Sequence, residues 1–153
     1  MLNRNLNEEF EIFKRNAADK SISCEIVAGH VVQSVMTGED GHKLCFLLGT
    51  ILEDYLMIRK KPDQVLFGPV DFRLNESNIF QPDLAVVEQS EVYRNGVIRA
   101  SGAEQIPKFI VEVLSDGNEI YDCLDKAVMY GKSGVKEYWL IDLKEEFIYT
   151  YSY

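Results

Sequence analysis

Hydrophobic and polar positions follow three different patterns along this chain. The residues Leu44, Leu47, Leu48, Ile51, Leu52, Tyr55 and Leu56 recur at intervals of three and four. That spacing predicts an amphipathic helix over 41–59. Lys60-Lys61-Pro62 ends it, because proline disfavours helix in the residue before it. Val70-Asp71-Phe72-Arg73-Leu74 alternates with period two, the mark of a strand with one solvated face. Two continuous apolar runs, Leu84-Ala85-Val86-Val87 and Phe109-Ile110-Val111-Glu112-Val113-Leu114, read as strands buried on both faces.

The remaining elements fall around these. Asn7 caps a first helix ending near 18, with Glu8, Glu9 and Glu11 early in it and Phe10 and Phe13 as an apolar edge. Residues 24–27 and 31–35 form a hairpin through Ala28-Gly29-His30. A short strand covers 64–67, 75–78 turns the chain, and the strand with Leu84 opens at Pro82. The stretch 88–106 is polar and without a period, which points to a mobile or functional loop. Ser115-Asp116-Gly117-Asn118 is a turn, and a helix over 120–132 stops at Gly134. Strands at 137–142 and 147–151 make a last hairpin. Strand, helix and strand from 108 to 142 form a right-handed crossover with parallel strands. The earlier hairpins make the sheet mixed, so the class is α/β or α+β, in one domain spanning 1–153.

Composition narrows the function. The chain has 153 residues, 46% of them apolar, and no run approaching the ~20 apolar residues of a membrane span. Its polar N-terminus is no secretory signal. Cys24, Cys45 and Cys123 have neither zinc nor disulfide spacing and read as buried free thiols in a reducing, cytoplasmic setting. A net charge of −9 argues against a general nucleic-acid binder, which normally carries a basic face.

The chemistry is expected where carboxylates stand among apolar residues. Burying an ionised carboxylate costs several kcal/mol unless it is paired, hydrogen-bonded or bound to metal. Glu112 lies inside one apolar run, and Asp83 opens the other beside Pro82. Two carboxylates on neighbouring strands suit Mg²⁺, which takes one or two of them and keeps several waters. A nearby cation would orient the attacking water or stabilise charge. Asp122, Lys126 and Tyr130 stand at i, i+4 and i+8 and share one helix face. Six helical residues from Ile120 to Lys126 climb roughly 9 Å. Two strand residues from Leu114 back to Glu112 cover roughly 7 Å. Lys126 can therefore stand level with Glu112. Read singly, Asp83 caps a turn, Glu112 is an edge or ion-paired residue and Lys126 lies on a solvated face.

Four stretches together resemble the signature of the Uma2 family of restriction endonucleases, within the PD-(D/E)XK nuclease superfamily. They are Gln81-Pro82-Asp83-Leu84-Ala85-Val86-Val87, Val111-Glu112-Val113-Leu114-Ser115, Asp122 with Lys126 and Tyr130, and Gly134-Val135-Lys136-Glu137-Tyr138-Trp139-Leu140-Ile141-Asp142. Cys24-Glu25-Ile26-Val27-Ala28-Gly29 is similar to the family's early Glu element, and His42 to the histidine that opens its long helix. The resemblance implies a restriction-endonuclease-like mixed sheet flanked by helices, and hydrolysis of DNA dependent on Mg²⁺, with Mn²⁺ as a substitute. It places the metal on Asp83 and Glu112, an assisting role on Glu25, and the water-orienting role on Lys126. The superfamily's lysine two residues after the second acid is here Leu114, so the resemblance moves that role to Lys126. Family members continue past this point, so the chain is expected to be short at its C-terminus. A homodimer on DNA is expected. The alternative is a catalytically degenerate module that keeps the fold as a dimeric interaction protein, a reading favoured by the acidic charge.

Overall fold

A computed structural model describes residues 4–17, 22–75, 77–88, 106–114 and 120–153. Helix α1 covers Arg4–Ala17, strand β1 Ile22–Val27, β2 His30–Val35 and helix α2 Glu39–Ile58. Then come β3 at Asp63–Phe67, β4 at Phe72–Asn75, β5 at Asn78–Phe80, β6 at Leu84–Glu88 and β7 at Phe109–Val113. Helix α3 spans Ile120–Ser133, followed by β8 at Glu137–Asp142 and β9 at Phe147–Ser152. The class is α+β, with two sheets instead of the single mixed sheet expected. The long polar loop and the Ser115–Asn118 turn fall almost entirely outside the described residues.

The five-stranded sheet runs in the order β3-β6-β7-β8-β9. β6 and β7 are antiparallel neighbours, and β7 and β8 are parallel, as the strand–helix–strand pattern requires. The first hairpin leaves this sheet. It joins a four-stranded antiparallel sheet in the order β2-β1-β5-β4. Its recruiter is β5, a three-residue strand that starts at Asn78, the last residue of the turn expected at 75–78. The Asn78 side chain also accepts the Ala28 N–H at 2.8 Å, tying the hairpin turn to β5. Ala28 and Gly29 sit at φ 50° and 81°, the left-handed pair a two-residue hairpin turn needs.

Each face of the large sheet is covered differently. On one side Leu44, Cys45, Leu48, Leu52 and Leu56 of α2 pack on Val65, Leu84, Val86, Val111 and Ile141. Gly49 permits this approach, since a Cβ there would collide with the Phe67 ring. The helical period also puts Leu47, Ile51 and Tyr55 on the apolar face of this helix. They are 59%, 56% and 52% exposed. Seven apolar residues at that spacing wrap further round the helix than a flat sheet can touch. On the other side lie α3 and the inner strands of the small sheet. Phe72, Phe80, Ile110, Tyr130, Tyr138 and Leu140 form the core between them. α1 closes the far face of the small sheet through Leu6, Phe10, Phe13 and Ala17. Leu6 draws the first turn into that contact, so the helix starts at Arg4 and not after Asn7.

Candidate metal and lysine site

The two sheets, α2 and α3 border a cleft that is partly open to solvent and whose lining includes Glu25, Thr37, His42, Asp83, Glu112 and Lys126. Each arrives by a different route. Asp83 stands just before β6, at the strand's entry and not inside it. The β6–β7 register pairs Leu84 with Val111. One further step along that register sets Asp83 across from Glu112. Directly opposed residues share a face, so both carboxylates lean toward the same space. Glu112 is buried at 7% exposure, on the face that α3 covers. Glu25 comes from β1 of the other sheet and is 3% exposed.

Every carboxylate oxygen has a donor. Asp83 Oδ1 accepts from the Thr37 hydroxyl at 2.6 Å, and Oδ2 from the Val113 N–H at 2.8 Å. Glu25 Oε1 accepts from the Gln81 N–H at 2.8 Å. Glu112 Oε1 accepts from the Tyr130 hydroxyl. The Lys126 ammonium sits between the two remaining oxygens, 2.8 Å from Glu25 Oε2 and 3.1 Å from Glu112 Oε2. It also lies over the Phe80 ring, 5.7 Å from its centre. Lys126 therefore enters the cleft instead of lying on a solvated helix face. Tyr130, one turn further on, steadies the carboxylate the lysine meets. The Asp122 side chain lies outside the described residues.

Charge in the cleft is unbalanced, with three carboxylates to one ammonium. Burial raises the pKa of Asp83, and the Thr37 and Val113 hydrogen bonds, Lys126 and His42 offset this only in part. Burial likewise raises that of Glu25, opposed by Lys126 and reinforced by Glu112. For Lys126 burial works against the charge. Glu112 and Glu25 outweigh it, so its pKa rises and it stays an ammonium. Tyr130, fully enclosed beside Glu112, is held far above an ordinary phenol and remains a donor. Cys45 is pushed up to about 12 by burial and by Asp83, so it is a thiol.

These residues fit a hard divalent cation. Each carboxylate oxygen has two lone-pair directions, so the hydrogen bonds named above leave acceptor capacity on Asp83 and Glu112. Surplus negative charge in a buried cleft is what such an ion neutralises. Among the described residues no three His, Cys, Asp or Glu side chains converge to hold a metal. Asp83 and Glu112 would supply two side-chain ligands and water the rest, a composition that suits Mg²⁺.

Neither Thr37 nor the Gln81 backbone stands out in the sequence as a carboxylate donor. Thr37 is only 7% exposed and is pressed against the first turn of α2, where a Cβ on Gly41 would strike its methyl group. A Thr-Gly pair before a helix carries no signal of that contact.

The family model described as Uma2, putative restriction endonuclease, matches residues 8–152. Among solved structures, a putative nuclease belonging to DUF820 from Anabaena variabilis superposes with a TM-score of 0.68 at 15% identity. The match covers 85% of this chain and 72% of that one, and at this identity it is a likeness of fold. No curated protein matches the chain.

Proposed function

The chain belongs to the Uma2 family, and from that premise we propose that it hydrolyses phosphodiester bonds in DNA with the help of Mg²⁺. The observation that carries the reading is the Lys126 ammonium, delivered by α3 into the cleft that Asp83 and Glu112 line. A two-carboxylate site with a lysine beside it is a minimal set for phosphoryl hydrolysis. Asp83 and Glu112 would hold the cation, oriented by Thr37, the Val113 N–H and Tyr130. When bound, Mg²⁺ polarises a phosphoryl oxygen and makes a bound water a better nucleophile at neutral pH. Lys126 then aims the attacking water and balances charge developing on the phosphoryl group. With a net charge of −9 the protein lacks long-range attraction for DNA. Engagement relies on the cation and on short-range contacts.

The test is a cleavage assay on plasmid and single-stranded DNA with Mg²⁺ or Mn²⁺, run beside Asp83→Ala. Metal-dependent nicking by the native chain that Asp83→Ala abolishes is the expected result. Equal activity in the two proteins, or none in the native chain with either metal, overturns the reading. The second outcome leaves a nuclease fold serving as a binding module.

A further inference from the structure

We propose that Glu25 is a positioning residue that keeps Lys126 in the cleft when Glu112 turns its Oε2 atom to the cation. The inference rests on the metal-dependent reading above and assigns the device that makes its lysine usable.

The argument starts from atoms already committed. Glu25 Oε1 is held by the Gln81 N–H, and Glu112 Oε1 by Tyr130. Lys126 Nζ spans the two Oε2 atoms, at 2.8 Å on Glu25 and 3.1 Å on Glu112. Glu112 Oε1 is closed in by the buried Tyr130 hydroxyl, so a cation reaching Glu112 from the cleft would take Oε2, the atom the ammonium also uses. The two positive charges repel, and Lys126 has to give way there. Glu25 Oε2, offered from β1 of the other sheet, is the ammonium's second partner. Lys126 keeps that partner and the face of Phe80. An ammonium has three N–H directions. One stays on Glu25, and the other two become free for a water or a phosphoryl oxygen.

Glu25 also sets where that ammonium is. Gln81, whose N–H it accepts, leads through Pro82 into Asp83. One carboxylate thus ties the lysine-bearing helix to the segment presenting the other ligand. Without it, an arriving cation leaves a buried ammonium with no anionic partner, and the side chain swings toward solvent.

Glu25→Gln tests this, since the amide keeps an acceptor for the Gln81 N–H at nearly the same volume. Mg²⁺ affinity by calorimetry should stay close to native, and KM for DNA should hold. kcat should fall about 100-fold, the usual effect of losing one oriented electrostatic group. In a Lys126→Met background the same change should add no further loss, because it acts through the lysine. The direct readout needs no substrate. The Lys126 ammonium resonance in ¹⁵N-labelled protein, assigned by its absence in Lys126→Met, should survive Mg²⁺ in the native chain and vanish with Mg²⁺ in Glu25→Gln. A native resonance that vanishes on adding Mg²⁺ overturns the proposal without any variant. So does a Glu25→Gln protein that loses Mg²⁺ as Asp83→Ala does, or one with native kcat. Failure of the native chain to cleave DNA would instead overturn the nuclease reading, while the resonance still reports where the lysine goes.

Discussion

Replacing Lys126 by Met removes one ammonium and keeps most of the volume of its stem. Its two contacts are 2.8 and 3.1 Å long. At an effective dielectric of about 20 they amount to about 6 and about 5 kcal/mol of gross attraction. Burying the ammonium costs several kcal/mol, and removing one partner of a buried ion pair typically leaves a net loss of about 3–5 kcal/mol. The lower end is expected here, because the variant has an escape. Glu25 and Glu112 would then repel each other without a cation between them, so at least one pKa rises and a proton takes the place of the lysine. The folded variant would bind a proton that the unfolded chain releases at the same pH. Falling pH therefore stabilises it. The loss should be largest at pH 8, shrink toward pH 5.5, and shrink again at pH 8 when Mg²⁺ is added. Urea unfolding followed by the fluorescence of Trp139, the single tryptophan, measures all three conditions. A loss below about 1 kcal/mol at pH 8 would mean the ammonium does not neutralise the cleft. An equal loss at both pH values would refute the charge argument outright.

Tyr130→Phe removes the hydroxyl on Glu112 and keeps the ring contacts with Phe80 and Tyr138. It should cost about 1.5–3 kcal/mol in urea unfolding, the range for a hydrogen bond to a charged group. In the metal-free native chain the raised pKa of Asp83 contributes stability that is complete below its ordinary value of 3.8 and lost as pH rises through its folded value. Asp83→Ala should therefore show a shallower loss of stability with rising pH than the native chain, read from urea midpoints between pH 4 and pH 7. Gly49→Ala pushes a methyl group into the Phe67 ring and should destabilise by about 1–3 kcal/mol. Gly38→Ser, at an extended N-cap with open space around it and no side-chain cap, should gain a few tenths of a kcal/mol in the same assay.

What the sequence determined by itself was local. The period of α2, the stop of α3 at Gly134 and the apolar runs of β6 and β7 follow from backbone geometry, which fixes where every third, fourth or second side chain points. A carboxylate inside an apolar run announced Glu112, because no strand buries that charge without a reason. Helix rise and strand rise were enough to bring Lys126 level with it. What only the tertiary structure decided was partnership. β5 is too short to show a period, yet it pulls the first hairpin into a second sheet and so carries Glu25 to the lysine. Thr37 and the Gln81 N–H become carboxylate donors because distant segments meet there. Leu47, Ile51 and Tyr55 obey the helical period as well as Leu48 does, and only the side of α2 that the sheet touches decides that they stay exposed. Periodicity fixes a side chain's direction along its own element. What stands in that direction is set by packing between elements far apart in the chain.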